Sequence, residues 1–286
     1  SVIFNVQRAG PSTGMPTRTQ QCDLISCAYA SHGDTKHVML FPEDPNECFQ
    51  MAATALDLAD RLQTPVFVMT DLDIGMNQRL CEPFAWDEAR SYDRGKVMTA
   101  EELEAGRDFG RYKDVDGDGI PWRTLPGTHP SKGAYFTRGT TRDAYARYSE
   151  RGPDYIYNME RLLRKFRTAA SLVPQPVLRK AAQPTRFGVI YFGSTSPSMH
   201  EALEALAAQG VHVNALRLRG FPFAEEVADQ RPLKRVRDLK VSHPNPDGYF
   251  QFARNTVKAM AKNFPAPARC VDCVEQAVKA ATFEQG

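Results

Sequence analysis

Short apolar runs alternate with helix-spaced apolar positions over the first 75 residues. Val2-Ile3-Phe4-Asn5-Val6 reads as a strand, and Thr17–Ser31 as a helix with Leu24, Cys27 and Ala28 inward. His37–Phe41 reads as a short strand. The next helix carries its own start signals. Asp44 can cap it, Pro45 suits its first position, and Glu47 completes a capping box. Phe49, Ala53, Leu56, Ala59 and Leu62 follow at helical spacing and predict its inner stripe. Thr64-Pro65 breaks it, and Val66–Met69 is a continuous apolar run. Strand, helix and strand in this order, with apolar strands, predict a parallel sheet covered on both faces by helices.

Between about residues 76 and 183 this rhythm is lost. The stretch is rich in Gly, Pro, Arg and Asp, and irregular segments of this length are usually functional. One helix is predicted within it, opened by Pro153, with Met159, Leu162, Leu163, Phe166 and Ala170 on its buried face. Pro174-Gln175-Pro176 closes it. A second strand–helix–strand unit follows. Phe187–Phe192 is a strand, and Ser196 caps a helix with Pro197 at its first position and Met199, Leu203, Leu206 and Ala207 inward. Gly210 ends that helix, and Val211–Leu218 is the next strand. The fold class is therefore α/β, in three stretches: residues 1–88, an irregular connection over 89–183, and 184–286.

Composition narrows the classes of function. A net charge of +2 over 286 residues gives no reason to expect nucleic acid or a membrane surface as partner. No apolar run approaches the roughly 18–20 residues of a membrane span. There is no signal-peptide pattern, and the opening from Ser1 straight into an apolar strand leads us to expect a chain that starts inside a domain of something longer. The six cysteines, Cys22, Cys27, Cys48, Cys81, Cys270 and Cys273, are scattered. They read as mostly buried reduced thiols, which implies the cytoplasm.

Several groups of residues carry candidate chemistry. Asn5-Val6-Gln7-Arg8-Ala9-Gly10-Pro11-Ser12-Thr13-Gly14 follows the first strand, at the end where open α/β sheets bind ligands. Arg8 offers a planar fork suited to a carboxylate, Ser12 and Thr13 add short donors, and Gly10 and Gly14 let backbone approach a ligand. A plain turn whose arginine pairs with another subunit is the competing reading. Asp114, Asp116 and Asp118, with Gly119 following, copy the first half of a calcium loop, but Leu125 stands where its last ligand belongs. Either a divalent ion or nearby arginines, Arg111 and Arg123, would answer the three carboxylates. Cys270-Val271-Asp272-Cys273 lacks the further ligands of a zinc or iron–sulfur site and reads as an inert pair. Gly193-Ser194-Thr195 reads as a strand-to-helix turn rather than a phosphate site.

The run Val6-Gln7-Arg8-Ala9-Gly10-Pro11-Ser12-Thr13-Gly14-Met15-Pro16-Thr17 resembles the alpha subunits of 2-oxoacid:acceptor oxidoreductases, with Ala9 in place of the usual glycine. The likeness continues through Gln20, Asp23-Leu24, His32-Gly33-Asp34, Glu47-Cys48-Phe49 and Pro65-Val66, to about Phe223. Tyr92–Val97, Phe109–Tyr112, Arg123–His129 and Lys132–Gly139 resemble the branch that oxidises 2-oxoglutarate.

The resemblance implies a fold and an activity. Residues 1–88 would be the C-terminal half of a pyrimidine-type thiamine-diphosphate domain. Residues 184–286 would be a transketolase C-terminal-like α/β domain, atypical from about residue 231, where the family's V-V-E-x-N strand is not found. The chain would be an alpha-subunit portion of an enzyme that oxidatively decarboxylates 2-oxoglutarate to succinyl-CoA. Arg8 would contact the substrate. Thiamine diphosphate, Mg2+ and a [4Fe–4S] cluster would sit mainly on a beta subunit, with coenzyme A as co-substrate, ferredoxin as acceptor and a dimer of alpha–beta pairs as assembly. The family's Y-P-I-T-P motif and the residue that activates the thiamine ring are not in this sequence, so the portion alone is expected to be inactive. A non-catalytic scaffold of the same descent, or a subunit for pyruvate or a branched-chain 2-oxoacid, is the alternative.

Overall fold

The computed structural model describes residues 1–10, 14–31, 35–223, 244–261 and 265–279. The chain divides into two units, Ser1–Val227 and Ala228–Gly286.

The first unit is built on a sheet of order β1-β3-β2-β9, with β1 at Val2–Val6, β2 at Val38–Leu40, β3 at Val66–Thr70 and β9 at Gly220–Phe221. β1, β3 and β2 are parallel, and β9 returns antiparallel to β2. β3 is buried along its whole length, as a central parallel strand must be. Val38, Leu40, Val66 and Val68 face one side and pack on Met51, Ala55, Leu58 and Leu62 of helix α2 (Pro45–Leu62) and on Ala169 of helix α5 (Gly152–Leu172). Met39, Phe41, Phe67 and Met69 face the other side, with Cys27, Ala28, Phe192 and Leu218. β1 is different. It lies at the sheet edge, and Ile3, Phe4 and Val6 are exposed.

A second sheet, of order β6-β8-β7, takes in Val177–Arg179, Asn214–Leu218 and Gly188–Phe192. Its core is Tyr191, Ala215 and Leu203, the last from helix α6 (Ser196–Ala208). β8 runs almost directly into β9, and Arg219 O accepts the Phe41 N–H at 2.9 Å. The chain thus passes from one sheet to the other between residues 218 and 220, and the boundary expected at 183/184 falls inside a single unit.

Several helices differ from expectation. The first helix, α1, covers only Leu24–Ala28. Thr17 is left-handed (φ 59°), and the side chains of Gln20 and Gln21 bond to neighbouring loops instead of following a helix. Asp44 caps α2 as expected, accepting from the Glu47 N–H at 2.7 Å, but Glu47 does not complete a capping box, since its carboxylate accepts from the Glu43 N–H and from arginines. Of the expected α2 stripe, Ala53, Ala59 and Leu62 are buried, and two residues depart from it. Leu56 is exposed, and Phe49 stacks on Phe84 at 5.1 Å. Helix α5 buries Asn158, Arg161 and Ala169, whereas Leu163 is exposed, so its inner face is largely polar. α6 begins at Ser196 after a 3-10 turn at Gly193–Thr195, and Ser196 does not cap it. A short helix at Leu72–Met76 (α3) follows β3, and a second at Ala100–Glu104 (α4) and a β4–β5 hairpin at Thr141–Arg142 and Tyr148–Ser149 lie in the stretch read as irregular.

The second unit consists, among the described residues, of helices α7 (Pro246–Met260) and α8 (Pro265–Lys279). Arg254 pairs with Asp272 at 3.0 Å and with Glu275, and Lys279 pairs with Glu275 at 2.7 Å. These hydrogen bonds, from Arg254 first and Lys279 second, bring the Glu275 carboxyl down to about 2.

Candidate functional site

Two parallel strands end side by side at one edge of the first sheet. β1 gives way to Gln7 and Arg8, and β3 to Asp71. Gln7 is fully buried. Its N–H and its Nε2 both donate to Thr70 O, at 3.0 and 3.3 Å, and its Oε1 accepts from the Asp23 N–H at 3.4 Å. Asp23 then holds the loop. Its Oδ2 accepts from the Arg8 N–H at 3.3 Å and from Asn5 Nδ2 at 3.0 Å. Gln20 Oε1 accepts from the Ala9 N–H at 2.8 Å. Gly14 closes the loop at φ +60°, where a Cβ would stand 2.4 Å from Ala9 O, so only glycine fits. Gly10 has open space around it and carries no such requirement.

Arg8 is exposed, and among the described residues its side chain has neither a hydrogen bond nor an ion pair. Ser12 and Thr13, the other expected substrate contacts, lie outside the described residues.

A third strand end joins this cluster. After β7, the turn at Gly193–Thr195 brings Ser194 Oγ to donate to Asp71 Oδ2 at 2.6 Å. Gln21 Nε2 donates to the same oxygen at 3.2 Å and to Phe192 O at 3.3 Å, while Thr195 Oγ1 donates to Gln21 Oε1 at 3.0 Å. Asp71 Oδ1 accepts from the Asp73 and Ile74 N–H groups, starting α3. The hydroxyls of Ser194 and Thr195 are thus engaged within the protein, as a strand-to-helix turn requires. Sequence reasoning missed Asp71 and Gln21. An Asp directly after a buried apolar run was the available signal for the first, and nothing local marked the second.

The three carboxylates of the calcium-like turn do not meet at one point: Asp116 and Asp118 converge on an ammonium, and Asp114 turns to a guanidinium. Lys96 Nζ lies 2.6 Å from Asp116 and 2.8 Å from Asp118, and Arg164 Nε lies 2.9 Å from Asp114 Oδ2. Asp114 also accepts from the Gly119 N–H, and Asp118 from the Ile120 N–H. Burial alone would lower the Lys96 ammonium, but its bonds to Asp116 and Asp118 raise it, and Lys96 in turn lowers Asp116. Among the described residues, no group of three or more His, Cys, Asp or Glu is placed to hold a metal ion. The metal reading of Asp114, Asp116 and Asp118 is therefore replaced by a turn whose charges are met by Lys96 and Arg164, and not by Arg111 and Arg123. Gly119 seats this turn on α5. A Cβ there would lie 2.2 Å from Lys165 N and 2.4 Å from Arg161 O, at φ +79°. Gly119→Ala is expected to cost about 2–3 kcal/mol or more, read as a fall in the denaturant midpoint. An unchanged midpoint would show that the turn lifts off α5 freely.

The cysteines are free. Cys27 is buried, but Cys22, Cys81, Cys270 and Cys273 are exposed, contrary to the expectation of mostly buried thiols. Burial first, and then Asp44, push the Cys48 thiol up to about 11. Among the described residues, no helix is long and apolar enough to cross a membrane.

The parallel sheet with helices on its faces defines an α/β domain. Residues 1–107 match the family described as pyruvate flavodoxin/ferredoxin oxidoreductase, thiamine diphosphate-binding. The chain is 29% identical over 233 residues to 2-oxoacid:ferredoxin oxidoreductase 2, subunit alpha, of Aeropyrum pernix, a match covering 80% of this chain and 35% of that protein. It is 41% identical over 83 residues to the 2-oxoglutarate synthase subunit KorA of Methanothermobacter thermautotrophicus, over 29% of this chain and 22% of that one. A solved 2-oxoglutarate:ferredoxin oxidoreductase from Magnetococcus marinus superposes with a TM-score of 0.68 over 97% of this chain and 48% of that one, at 21% identity, and shares its fold. The chain is similar to the alpha subunits of 2-oxoacid:ferredoxin oxidoreductases over most of its length, and its first 107 residues carry the match to the family's thiamine diphosphate-binding domain. It spans about a third of the length of the longer curated relative, the alpha subunit from Aeropyrum pernix.

Proposed function

We propose that this chain is the part of an alpha subunit that presents the 2-oxoacid-binding arginine in a thiamine-diphosphate-dependent 2-oxoglutarate:ferredoxin oxidoreductase. The observation that carries this is the free guanidinium of Arg8 on a backbone pinned by Asp23 and Gln20. Strong local similarity to 2-oxoglutarate synthase subunits supports 2-oxoglutarate over other 2-oxoacids. In this reading, residues 1–88 form the pyrimidine-side half-domain and the stretch from 184 the transketolase C-terminal-like part.

Thiamine diphosphate, when bound, would supply the electron sink for loss of the substrate carboxylate, in an enzyme for which a partner's [4Fe–4S] cluster, ferredoxin and coenzyme A are the proposed acceptors. The residues of this chain do the positioning. Gln7 and Asp23 set the height of the loop, and Arg8 binds and orients the substrate carboxylate through paired donors. The carboxylates near the strand ends, those of Asp23 and Asp71, are engaged with neutral protein donors. Mg2+, the diphosphate and the cluster are therefore assigned to a beta subunit, in a dimer of alpha–beta pairs in the cytoplasm.

Co-expression with the neighbouring reading frame tests the assignment. The expected result is co-purification with a brown, cluster-bearing partner and 2-oxoglutarate-dependent reduction of ferredoxin. Turnover of 2-oxoglutarate by this chain alone, or failure of any such partner to bind it, would overturn the reading.

A further inference from the structure

Away from the Arg8 loop, cations of the connecting segment and α5 gather without acidic partners. The guanidinium carbons of Arg111, Arg142 and Arg161 stand 5.4, 5.2 and 5.6 Å from the centre of the Tyr112 ring. Arg142 is satisfied by neutral acceptors, Tyr112 Oη at 3.2 Å and Gly139 O at 3.4 Å. Arg161 is not. It is only 5% exposed, its Nη1 donates to Gly119 O at 3.0 Å, and its Nε is buried with no hydrogen-bond partner. Lys165 follows one turn along α5, on the same face.

Around this cluster the charge is one-sided. Burial first, then Arg161 and Arg111, bring the Lys165 ammonium down to about 7. His37 is lowered by burial and then by Lys165, and its Nδ1 is buried without a partner. The carboxylate that acts on Arg161, that of Asp114, is already paired with Arg164 at 2.9 Å. Among the described residues, Arg111, Arg161 and Lys165 form no ion pair. A guanidinium does not shed its proton in a protein, so Arg161 stays charged where charge without a counterion is costly. An anion among these groups removes that cost. A carboxylate would answer one of the charges. A phosphoryl group brings nearly two negative charges and three acceptor oxygens, which suits two guanidinium forks and an ammonium.

We propose that Arg111, Arg161 and Lys165 form a binding site for a phosphoryl group, separate from the Arg8 loop. The guanidinium of Arg111 also stands 5.6 Å from the ring of the exposed Tyr135, which places an aromatic face beside the site for a nucleoside carrying the phosphate.

The test is calorimetric titration of the full chain, at fixed ionic strength, with inorganic phosphate in one arm and adenosine 3′,5′-bisphosphate in the other. Saturable binding is expected in at least one arm. Comparable affinity in both identifies a simple phosphate site, and tighter binding of the nucleotide identifies a nucleotide-phosphate site. Arg161 also holds Gly119, so Arg111→Gln and Lys165→Met serve as the variants. Each should weaken binding by roughly tenfold or more while circular dichroism stays unchanged. No saturable binding in either arm, or wild-type affinity in both variants, would overturn the proposal. Because the assay needs neither a partner nor turnover, its failure is distinguishable from failure of the oxidoreductase reading.

Discussion

In the assembled enzyme, Arg8→Lys should lower kcat/KM for 2-oxoglutarate by roughly ten- to a hundred-fold. Lysine keeps the charge but loses the planar pair of donors that a carboxylate matches, so the change is not conservative. Losing a charge-assisted contact of this kind costs about 1.5–3 kcal/mol. The structure isolates the side chain from the loop. The Arg8 N–H is held by Asp23, and the guanidinium bonds to nothing among the described residues. Stability should therefore stay within about 0.5 kcal/mol of wild type, as for other surface substitutions. Thiamine affinity should also hold, since the proposed diphosphate site lies on the beta subunit. Steady-state kinetics with cofactor titration and a melting curve give the three readings together. If Arg8→Lys and Arg8→Ala both turn over normally, the arginine is an interface residue and the carboxylate is bound elsewhere.

Local signals carried the strands and the α2 start because those depend on neighbours in sequence. Val66–Thr70 is apolar throughout and is buried throughout, and Asp44-Pro45 starts a helix at the expected residue. The site was legible only in part. Arg8 stood out through its place after a strand, but the groups that hold its loop, Asp23, Gln20 and Gln7, act through backbone bonds that periodicity does not encode.

The failures have one physical origin, which is polar side chains recruited by distant backbone. Thr17–Ser31 was read as one helix because its apolar residues fit a helical stripe. Gln20 and Gln21 instead bond to Ala9 and Phe192, so α1 begins only at Leu24. In α5 the apolar stripe pointed to Leu163, yet the buried residues are Asn158 and Arg161, which bond to carbonyls of Arg142 and Gly119 in the connecting segment. A segment without its own hydrogen-bonded ladder must place its backbone groups on something. Here it places them on the face of α5, and no reading of α5 alone could reveal that.

Glu47→Ala should destabilise the chain by about 1.5–3 kcal/mol, the cost of a lost charge-assisted hydrogen-bonded contact, because Arg217 keeps Glu43 as a partner. Glu47 ties α2 to the second sheet. Its carboxylate takes both Nη groups of Arg217, at 3.0 and 2.9 Å, and Arg219 Nε at 3.0 Å. Both arginines flank the point where β8 passes into β9. Glu43 adds a contact to Arg217 at 2.5 Å, and Glu47 Oε2 accepts the Glu43 N–H at 3.0 Å. Burial pushes the Glu47 carboxyl up, but the hydrogen bond and charge of Arg217, with the Glu43 N–H and Arg219, outweigh it and hold it below the usual range. The sign follows. With its folded value depressed, Glu47 stabilises the fold above the ordinary glutamate range, and this is lost as pH falls through the folded value. Wild type should therefore lose stability in acid more steeply than Glu47→Ala, so the gap between them narrows below about pH 4. Urea midpoints of both proteins from pH 7 down to 3 measure it. A gap that stays constant with pH would show that the loss in Glu47→Ala comes from packing and not from charge pairing with the arginines, and the second sheet would then need another tie to the first.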